Sequence, residues 1–372
     1  MFYLTLHFII PVIYYCFYDF VNLYSDINYD VNALKGILLN AVSVIGTIIV
    51  IQFLPDKKIP FAPKFNNSFK FYLVCIFLYV VFLIITGGYE DVLSGSKNGT
   101  LISYLLLFFD ATVSLAVFLY LQRNIKFVYI VIFIYIVLYT ISGSRSAIIT
   151  VLAISLALPL FQNNVLIRKR LKKIILTFLL ISPLMFYYAT NVRGQIDGTI
   201  LTDIIVGRIS MVELSAIPIN AKENRYMDEK LYDAKYGIIN QFKQSINEIS
   251  PLDPFEHDVN PNQYHRIIFL GHKDSIIDKY MSINLTLPTY FYLESNFFFG
   301  CILSILFLSG LYYVWIKKSN NIYFLIGIII NLYTILQYFD WVMIVASLFK
   351  IVLTIYTLKK FEIILNVKKI SI

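Results

Sequence analysis

Length, composition and charge place the chain in one broad class. It has 372 residues, of which 58% are hydrophobic and 15% are charged, and its mean hydropathy is +0.71. These values lie far outside the range of soluble globular domains, so they predict an all-α polytopic membrane protein. The net charge of +8 lies mainly in short clusters beside apolar runs. Such clusters direct membrane topology, so the charge does not indicate a nucleic-acid partner.

Apolar runs long enough to cross a bilayer recur along the whole chain. A spanning helix needs roughly 17 to 25 mostly apolar residues, and this criterion predicts about ten transmembrane helices. Their approximate bounds are 2–20, 34–54, 70–86, 101–121, 126–142, 146–161, 173–190, 294–316, 321–338 and 341–358. The N-terminal stretch MFYLTLHFII lacks a basic region and a small-residue cleavage site, so we expect the first span to be retained rather than cleaved.

Clusters of lysine and arginine fall in alternate loops between these spans. Such residues accumulate on the cytoplasmic side of a membrane, which predicts that both termini are cytoplasmic. The clusters lie at 57–70, 123–126, 168–173, 317–318 and 359–369. The opposite loops contain few basic residues, among them Lys35 and Arg145. Arg145 therefore faces outward, against the prevailing charge bias.

One long polar segment, 191–290, interrupts the apolar pattern. It is rich in tyrosine, contains the turn-forming stretch PLDPFEHDVNPN, and lies outside by the same charge rule. We expect a membrane bundle over 1–190, an extracytoplasmic loop subdomain over 191–290 and a second membrane bundle over 291–372. Within the loop, MDEKLYDAKYGIINQFKQSINEI has apolar residues at helical spacing, which predicts helices along the membrane surface. The loop tyrosines either stack on sugar faces or pack the loop onto the bundle.

The outer side is relatively enriched in arginine. Five of the eight arginines are predicted to lie there, namely Arg145, Arg193, Arg208, Arg225 and Arg266. A guanidinium presents a planar fork that binds phosphate through two hydrogen bonds, whereas lysine offers a point charge. Each loop arginine has an alternative role in pairing with a nearby carboxylate. That alternative is weakest for Arg145, because its loop SGSRS contains no acid and its small neighbours let a phosphate approach the backbone.

Candidates for acid–base chemistry are few. His272 lies in RIIFLGHKDS, Glu294 stands at the outer start of a predicted span, and Glu213 lies in the loop. The alternatives without a catalytic role are a solvated surface histidine and a glutamate at the membrane interface. No zinc-ligand spacing and no DxD-like carboxylate pair occurs in the sequence, so we expect no metal site. Asp110, near the middle of a predicted span, is expected to pair with Lys350 inside the bundle.

The whole layout resembles the Wzy-type O-antigen polymerases, also called oligosaccharide repeat unit polymerases. The likeness consists of about ten to twelve helices with one large outer loop in the second half of the chain. Local matches are the GSRS turn before a helix, the arginines of NVRGQIDG and VGRISMVE, the RIIFLGHKDS segment, and the acid-then-glycine pattern ESNFFFG. The related O-antigen ligases share much of this layout.

The resemblance implies a GT-C-like membrane fold and a metal-independent, inverting glycosyltransferase. It would act on the outer leaflet of the bacterial cytoplasmic membrane, with its large loop in the periplasm. Polyprenyl-pyrophosphate-linked oligosaccharides would serve as donor and acceptor, and no cofactor is implied. The residues expected to bind the pyrophosphate are Arg145, Arg193, Arg208 and Arg266. The candidate general bases are His272, Glu294 and Glu213.

Other partners and other protein classes follow from the same layout. Membrane lipid would surround the bundle, and a chain-length regulator protein is a further candidate partner. A lipid-linked oligosaccharide flippase or transporter would bind the same pyrophosphate, but transporters usually show repeated halves and short loops. An O-antigen ligase would use the same donor with a lipid A core acceptor. The single large outer loop favours an enzyme over a transporter.

Overall fold

The computed structural model describes the chain over 30–54, 67–85, 108–121, 125–141, 213–250, 285–318 and 341–370, with shorter pieces at 8–9, 12–13, 105, 172, 176, 180, 255, 268–269, 331, 335 and 339. Within these ranges every regular element is a helix and no strand occurs, which confirms the predicted all-α class. The helices are α1 (Asp30–Gln52), α2 (Ser68–Ile85), α3 (Ala111–Leu121), α4 (Ile125–Ile141), α5 (Glu213–Glu223), α6 (Glu229–Tyr236), α7 (Ile238–Ile249), α8 (Leu287–Glu294), α9 (Phe297–Lys318) and α10 (Trp341–Ile370).

Part of the predicted set of membrane spans is visible in these helices. Within the described residues, two stretches are long and apolar enough to cross a membrane, Asn32–Gln52 of α1 and Phe297–Val314 of α9. Helices α2 and α4 also agree with predicted spans to within a few residues. The predicted span 146–161 lies outside the described residues, and only isolated residues of 2–20, 173–190 and 321–338 are described. The total of about ten spans therefore stays a prediction.

The predicted span 101–121 is interrupted at Asp110. The Asp110 side chain accepts a hydrogen bond of 2.8 Å from the backbone N–H of Val113, as an N-cap residue does, and α3 begins at Ala111. The expected pairing of Asp110 with Lys350 is wrong, because the one ion pair among the described residues joins Lys35 to Glu223. The carboxylate of Asp110 serves the start of a helix instead.

Helix α1 exposes an apolar face and buries polar side chains on the opposite face, the reverse of an amphipathic helix in a soluble protein. One face exposes a continuous apolar stripe, whose members Leu34, Leu38, Val42, Ile45 and Ile49 are 42–50% exposed. The opposite face buries the polar residues Asn32, Asn40, Ser43 and Thr47. A soluble amphipathic helix buries its apolar face and exposes its polar face. An exposed apolar stripe of this length indicates contact with lipid or with another apolar surface.

Helices α8 and α9 form a hairpin, and this corrects one expectation from the sequence. Glu294 was expected to open the span that follows it, but it is the last residue of α8, and α9 begins only at Phe297. The Asn296 side chain accepts a 3.0 Å hydrogen bond from the N–H of Phe299 and so caps the start of α9. A Cβ on Gly300 would lie 3.0 Å from the Cα of Tyr292. Glycine there lets the two helices of the hairpin approach closely.

Loop helices α5 and α6 pack onto α1 and onto the α8–α9 hairpin, whereas α7 packs against α10. Buried apolar side chains from α1, α5, α6, α8 and α9 form one core, which includes Ile37, Ile217, Tyr232, Tyr236 and Leu293. Because Tyr232 and Tyr236 are part of this core, they pack the loop onto the bundle rather than stacking on sugars. The interpretation of the loop tyrosines as packing residues is thus confirmed for these two.

Candidate functional site

A charged cluster lies where the N-terminal end of α1 meets α5 and the end of α8. Lys35 of α1 forms an ion pair with Glu223 of α5 and donates a hydrogen bond of 3.3 Å to the hydroxyl of Tyr292 of α8. The Tyr292 hydroxyl donates in turn to Oε1 of Glu223 over 2.8 Å. The Lys35 and Glu223 side chains are 33% and 38% exposed. The partly exposed Lys35 and Glu223 therefore form one network with the buried Tyr292, from helices that are far apart in the sequence.

Lys222 donates hydrogen bonds to carbonyl groups at the C-terminal end of α8. Its ammonium donates to the carbonyl oxygens of Tyr292, Leu293 and Ser295 over 2.7, 2.9 and 2.7 Å. Carbonyls at a helix C-terminus lack partners within the helix and carry partial negative charge, so a cation there stabilises the helix end. The same ammonium lies 4.8 Å from the centre of the Tyr292 ring, and that of Lys35 lies 5.1 Å from it. Two cations thus contact the negative faces of one aromatic ring.

The pKa values in this cluster follow from burial and from these contacts. Burial alone would raise the pKa of Glu223, but the hydrogen bonds from Lys35 and Tyr292 outweigh it and hold that pKa below its usual value. Burial lowers the pKa of Lys222, and the nearby carboxylate of Glu294 opposes this only in part. Both groups nevertheless have partners that favour their charged forms. The cluster therefore joins paired charges rather than isolated ones.

Glu294 lies beside this cluster with one of its oxygens held. The hydroxyl of Tyr232 donates to Oε1 of Glu294 over 2.6 Å, a short distance typical of hydrogen bonds to a charged acceptor. Tyr232 is buried, whereas Glu294 is exposed. Burial, and then the bond to Glu294, raise the pKa of Tyr232, so it remains a donor. Among the described residues no donor reaches Oε2, so one oriented carboxylate oxygen is free to accept a proton.

A second, uncharged network lies further along α1. Asn40 donates to the hydroxyl of Ser215 over 2.8 Å, and the hydroxyl of Thr289 donates to the same oxygen over 2.9 Å. The hydroxyls of Thr286 and Thr289 are 2.7 Å apart. Ser215, Thr286 and Thr289 are all fully buried. Because each polar atom has a partner, this network fixes the position of α5 and α8 against α1 at little cost for burying hydroxyls.

Two of the seven site residues expected from the sequence fall within the described part of the chain. Glu294 has the position given above. Glu213 is the first residue of α5, ten residues before Glu223, which corresponds to about 15 Å along the helix. Lys222 and Glu223, at the other end of α5, contact α8, so the backbone of Glu213 lies at the end of α5 away from that contact. The expected residues that lie outside the described ranges are Arg145, Arg193, Arg208, Arg266 and His272.

Four residues of the cluster were missed from the sequence: Lys35, Lys222, Glu223 and Tyr292. Lys35 could have been singled out from the sequence, because it is a basic residue at the outward end of an apolar run, where the charge rule predicts few basic residues. Its partner Glu223 lies 188 residues further along the chain. No local pattern connects two residues at that separation.

The arrangement of Glu294 and Tyr232 is suited to proton transfer. Within them, no group of three or more His, Cys, Asp or Glu side chains is placed to hold a metal ion. The exposed carboxylate of Glu294, oriented by a buried tyrosine, is suited to accept a proton from a bound hydroxyl. No protein-family model, curated protein or solved structure matches this chain.

Proposed function

We propose that the chain is a polytopic protein of the bacterial cytoplasmic membrane that polymerises oligosaccharide repeat units carried on polyprenyl pyrophosphate. The reaction is a metal-independent, inverting glycosyl transfer on the outer leaflet. It extends a surface polysaccharide such as an O-antigen or a capsule-like polymer. The sequence resemblance supports the choice of reaction, and the described helices support its setting.

The setting in a membrane is supported by the exposed apolar faces of α1 and α9. On α9 the exposed side chains include Phe298, Phe299, Leu306 and Val314. Ser304 and Ser309 of the same helix are buried. Helices in lipid commonly place small and polar residues against each other and apolar residues against the acyl chains. The basic cluster at 57–70 follows the C-terminal end of α1, and the cluster at 317–318 forms the C-terminal end of α9, so those ends are cytoplasmic in this scheme.

The observation that carries the proposal is the position of Glu294. It lies at the tip of the α8–α9 hairpin, at the end of α9 opposite the basic cluster, with Oε1 held by Tyr232. A lipid-linked sugar presents its reacting end at that level of the membrane, just outside the hydrocarbon. An oriented carboxylate with one free oxygen there suits the general base that a sugar hydroxyl requires.

The proposed reaction proceeds as follows. The hydroxyl oxygen of the acceptor sugar attacks the anomeric carbon of the donor, while the bond from that carbon to the pyrophosphate oxygen breaks. The hydroxyl proton passes to Oε2 of Glu294, or to His272 in the alternative assignment, and the lipid pyrophosphate leaves with the bonding electrons. Arg145, Arg193, Arg208 and Arg266 compensate the charge that develops on the leaving group.

The test combines deletion of the gene with gel analysis of surface polysaccharide. Single capped repeats support the polymerase, whereas uncapped lipid A core indicates the ligase. An unchanged polymer ladder contradicts both enzymes, and lipid-linked repeats trapped on the cytoplasmic side indicate a flippase. Purified protein with lipid-linked repeats then tests the chemistry directly.

Single variants test the general base within that assay. We expect Glu294→Gln to slow polymerisation about 10²- to 10⁴-fold while donor binding is kept. Glu223→Gln is the matched control, because that nearby carboxylate is already engaged by Lys35 and Tyr292. His272→Ala tests the alternative base. Near wild-type rates from both Glu294→Gln and His272→Ala would show that neither residue takes the proton.

A further inference from the structure

The C-terminal end of α5 carries an arginine in a conformation that normally belongs to glycine. Arg225 has a φ of 58°, and it is the only non-glycine residue with positive φ in the described part of the chain. The N–H of Tyr226 bonds to the carbonyl of Ala221 over 3.1 Å, and the N–H of Arg225 bonds to that of Lys222 over 3.3 Å. These two bonds define a Schellman motif, in which Arg225 occupies the left-handed position usually filled by glycine.

The arginine side chain does not offset the strain of this position. Arg225 is exposed, and it makes no ion pair or hydrogen bond with any of the described side chains. The carboxylate two residues before it, Glu223, is already engaged by Lys35 and Tyr292. A left-handed backbone is unfavourable for every residue with a Cβ, and glycine would avoid that cost. Because no contact with a described residue offsets this backbone strain, Arg225 is a candidate for a functional role.

Hydrogen bonds link the turn that carries Arg225 to the helix end that carries the candidate site. Asn224, directly before it, donates to Oδ1 of Asn220 over 2.7 Å, and Asn32 of α1 donates to the same oxygen over 2.8 Å. The turn is therefore fixed to the N-terminal end of α1, the end that also carries Lys35. A guanidinium on a fixed turn, whose donors bond to none of the described residues, is suited to bind an anion with two or more oxygens in one plane.

We infer that Arg225 is a phosphate-binding residue, presented by the Schellman turn at the end of α5. The choice of the substrate pyrophosphate as its ligand rests on the proposed function. The same chemistry would also recognise the headgroup phosphate of an anionic phospholipid beside the protein. Arg225 would add a phosphate contact, from the turn after α5, to the four arginines proposed from the sequence.

The experiment uses full-length protein in nanodiscs of neutral lipid, with undecaprenyl pyrophosphate as the probe. Arg225→Ala keeps the backbone strain and removes the guanidinium, whereas Arg225→Gly removes both. We expect both variants to bind the probe about 10- to 100-fold more weakly, the range for loss of a charged hydrogen-bonded contact. Only Arg225→Gly should raise Tm, by about 1 to 3 °C. Lys230→Ala, which removes another exposed cation of this segment, should leave binding unchanged.

Each outcome separates the possibilities. Wild-type binding by both Arg225 variants overturns the inference, and so does an equal loss in Lys230→Ala, which would indicate a general charge effect. Lower Tm in Arg225→Gly than in Arg225→Ala would refute the strain argument. A second set of nanodiscs containing phosphatidylglycerol, without the probe, tests the headgroup. If Arg225→Ala abolishes stabilisation by that lipid alone, the phosphate is a bilayer headgroup. If probe binding depends on Arg225 but gene deletion leaves the polymer unchanged, the inference holds and the proposed function fails.

Discussion

The contact between α1 and α5 at Gly36 gives the sharpest test of how the loop is held. A Cβ added to Gly36 would lie 2.7 Å from the Cβ of Ser215 and 3.4 Å from the backbone nitrogen of Ala216. Neither atom can move without moving α5 itself. We therefore expect Gly36→Ala to push α5 away from α1 and to strain the hydrogen bond from Asn40 to Ser215.

The magnitude follows from comparing Gly36 with two other glycines. Alanine in a helix is favoured over glycine by about 1 kcal/mol, and this gain applies equally at Gly310, where a Cβ would meet nothing within 4 Å. The difference between the two variants therefore isolates the packing term, for which overfilling a closed core costs about 1 to 3 kcal/mol. Gly46→Ala should fall between them, because its Cβ would meet only the Cδ1 and Cγ1 atoms of the Ile305 side chain, which can rotate.

The assay is reversible unfolding of the purified variants in detergent micelles, followed by helical circular dichroism. Gly310→Ala should be as stable as wild type or more stable, and Gly36→Ala about 1 to 3 kcal/mol less stable than Gly310→Ala. Equal stability of Gly36→Ala and Gly310→Ala would refute close packing of α5 on α1, and with it the geometry of the site.

Four further outcomes are expected. Lys222→Met removes three hydrogen bonds at the end of α8 and leaves the carbonyls of Leu293 and Ser295 without this donor, while that of Tyr292 keeps the N–H of Ser295. It should cost about 1 to 3 kcal/mol of unfolding free energy in the same assay. The lowered pKa of Glu223 means that its stabilisation is present above the usual carboxyl value of 4.5 and is lost as pH falls through the folded-state pKa. Glu223→Gln should therefore flatten the acid limb of the stability profile below pH 4.5. Arg145→Lys should lose most polymerisation in the lipid-linked repeat assay although charge is kept, because an ammonium lacks the guanidinium fork; wild-type polymer would count against the clamp. Reporter fusions after Phe161 and Ile249 should give cytoplasmic and external signals, and equal signals would overturn the topology.

Helices α1, α2 and α4 could be predicted from the sequence because an apolar run of about 20 residues has one plausible form in lipid. Hydropathy does not encode where such a run breaks. The cap at Asp110 and the turn at Ser295 and Asn296 depend on hydrogen bonds that single side chains accept from backbone N–H groups. Helix α10 likewise continues to Ile370, well beyond the predicted end at 358.

The extension of α10 shows how a distant contact decides a helix end. Glu362 is buried, and its carboxylate accepts hydrogen bonds from the backbone N–H and the side-chain amide of Asn67, the latter over 2.9 Å. This contact joins α10 to the start of α2 across 295 residues of sequence. The candidate site has the same character, since its charged residues come from α1, α5 and α8. Glu294 was identifiable as an acid beside an apolar run, but its tyrosine partner was not.

The uncharged network of Asn40, Ser215 and Thr289 lies deep along α1, and this depth indicates how the candidate site at Glu294 is supported. Asn32–Gln52 has 21 residues, about 31 Å of helix, which matches the hydrocarbon thickness of a bilayer. Asn40 lies about 12 Å into that span, yet it bonds to Ser215 of α5, which also bonds to Thr289 of α8. In the proposed membrane setting, α5 and α8 therefore descend beside α1 instead of resting on the surface. Their hydroxyls satisfy one another, as lipid requires.

The packing of α5 and α8 along α1 supports Glu294 rigidly. The carboxylate belongs to a hairpin whose α8 is fixed by hydroxyls at its start and by Lys222 at its end. A base on a free loop would have to be ordered each time a substrate bound. In the proposed reaction, a base on a hairpin fixed at both ends of α8 would already be in place, so less of the barrier to glycosyl transfer would be spent on positioning.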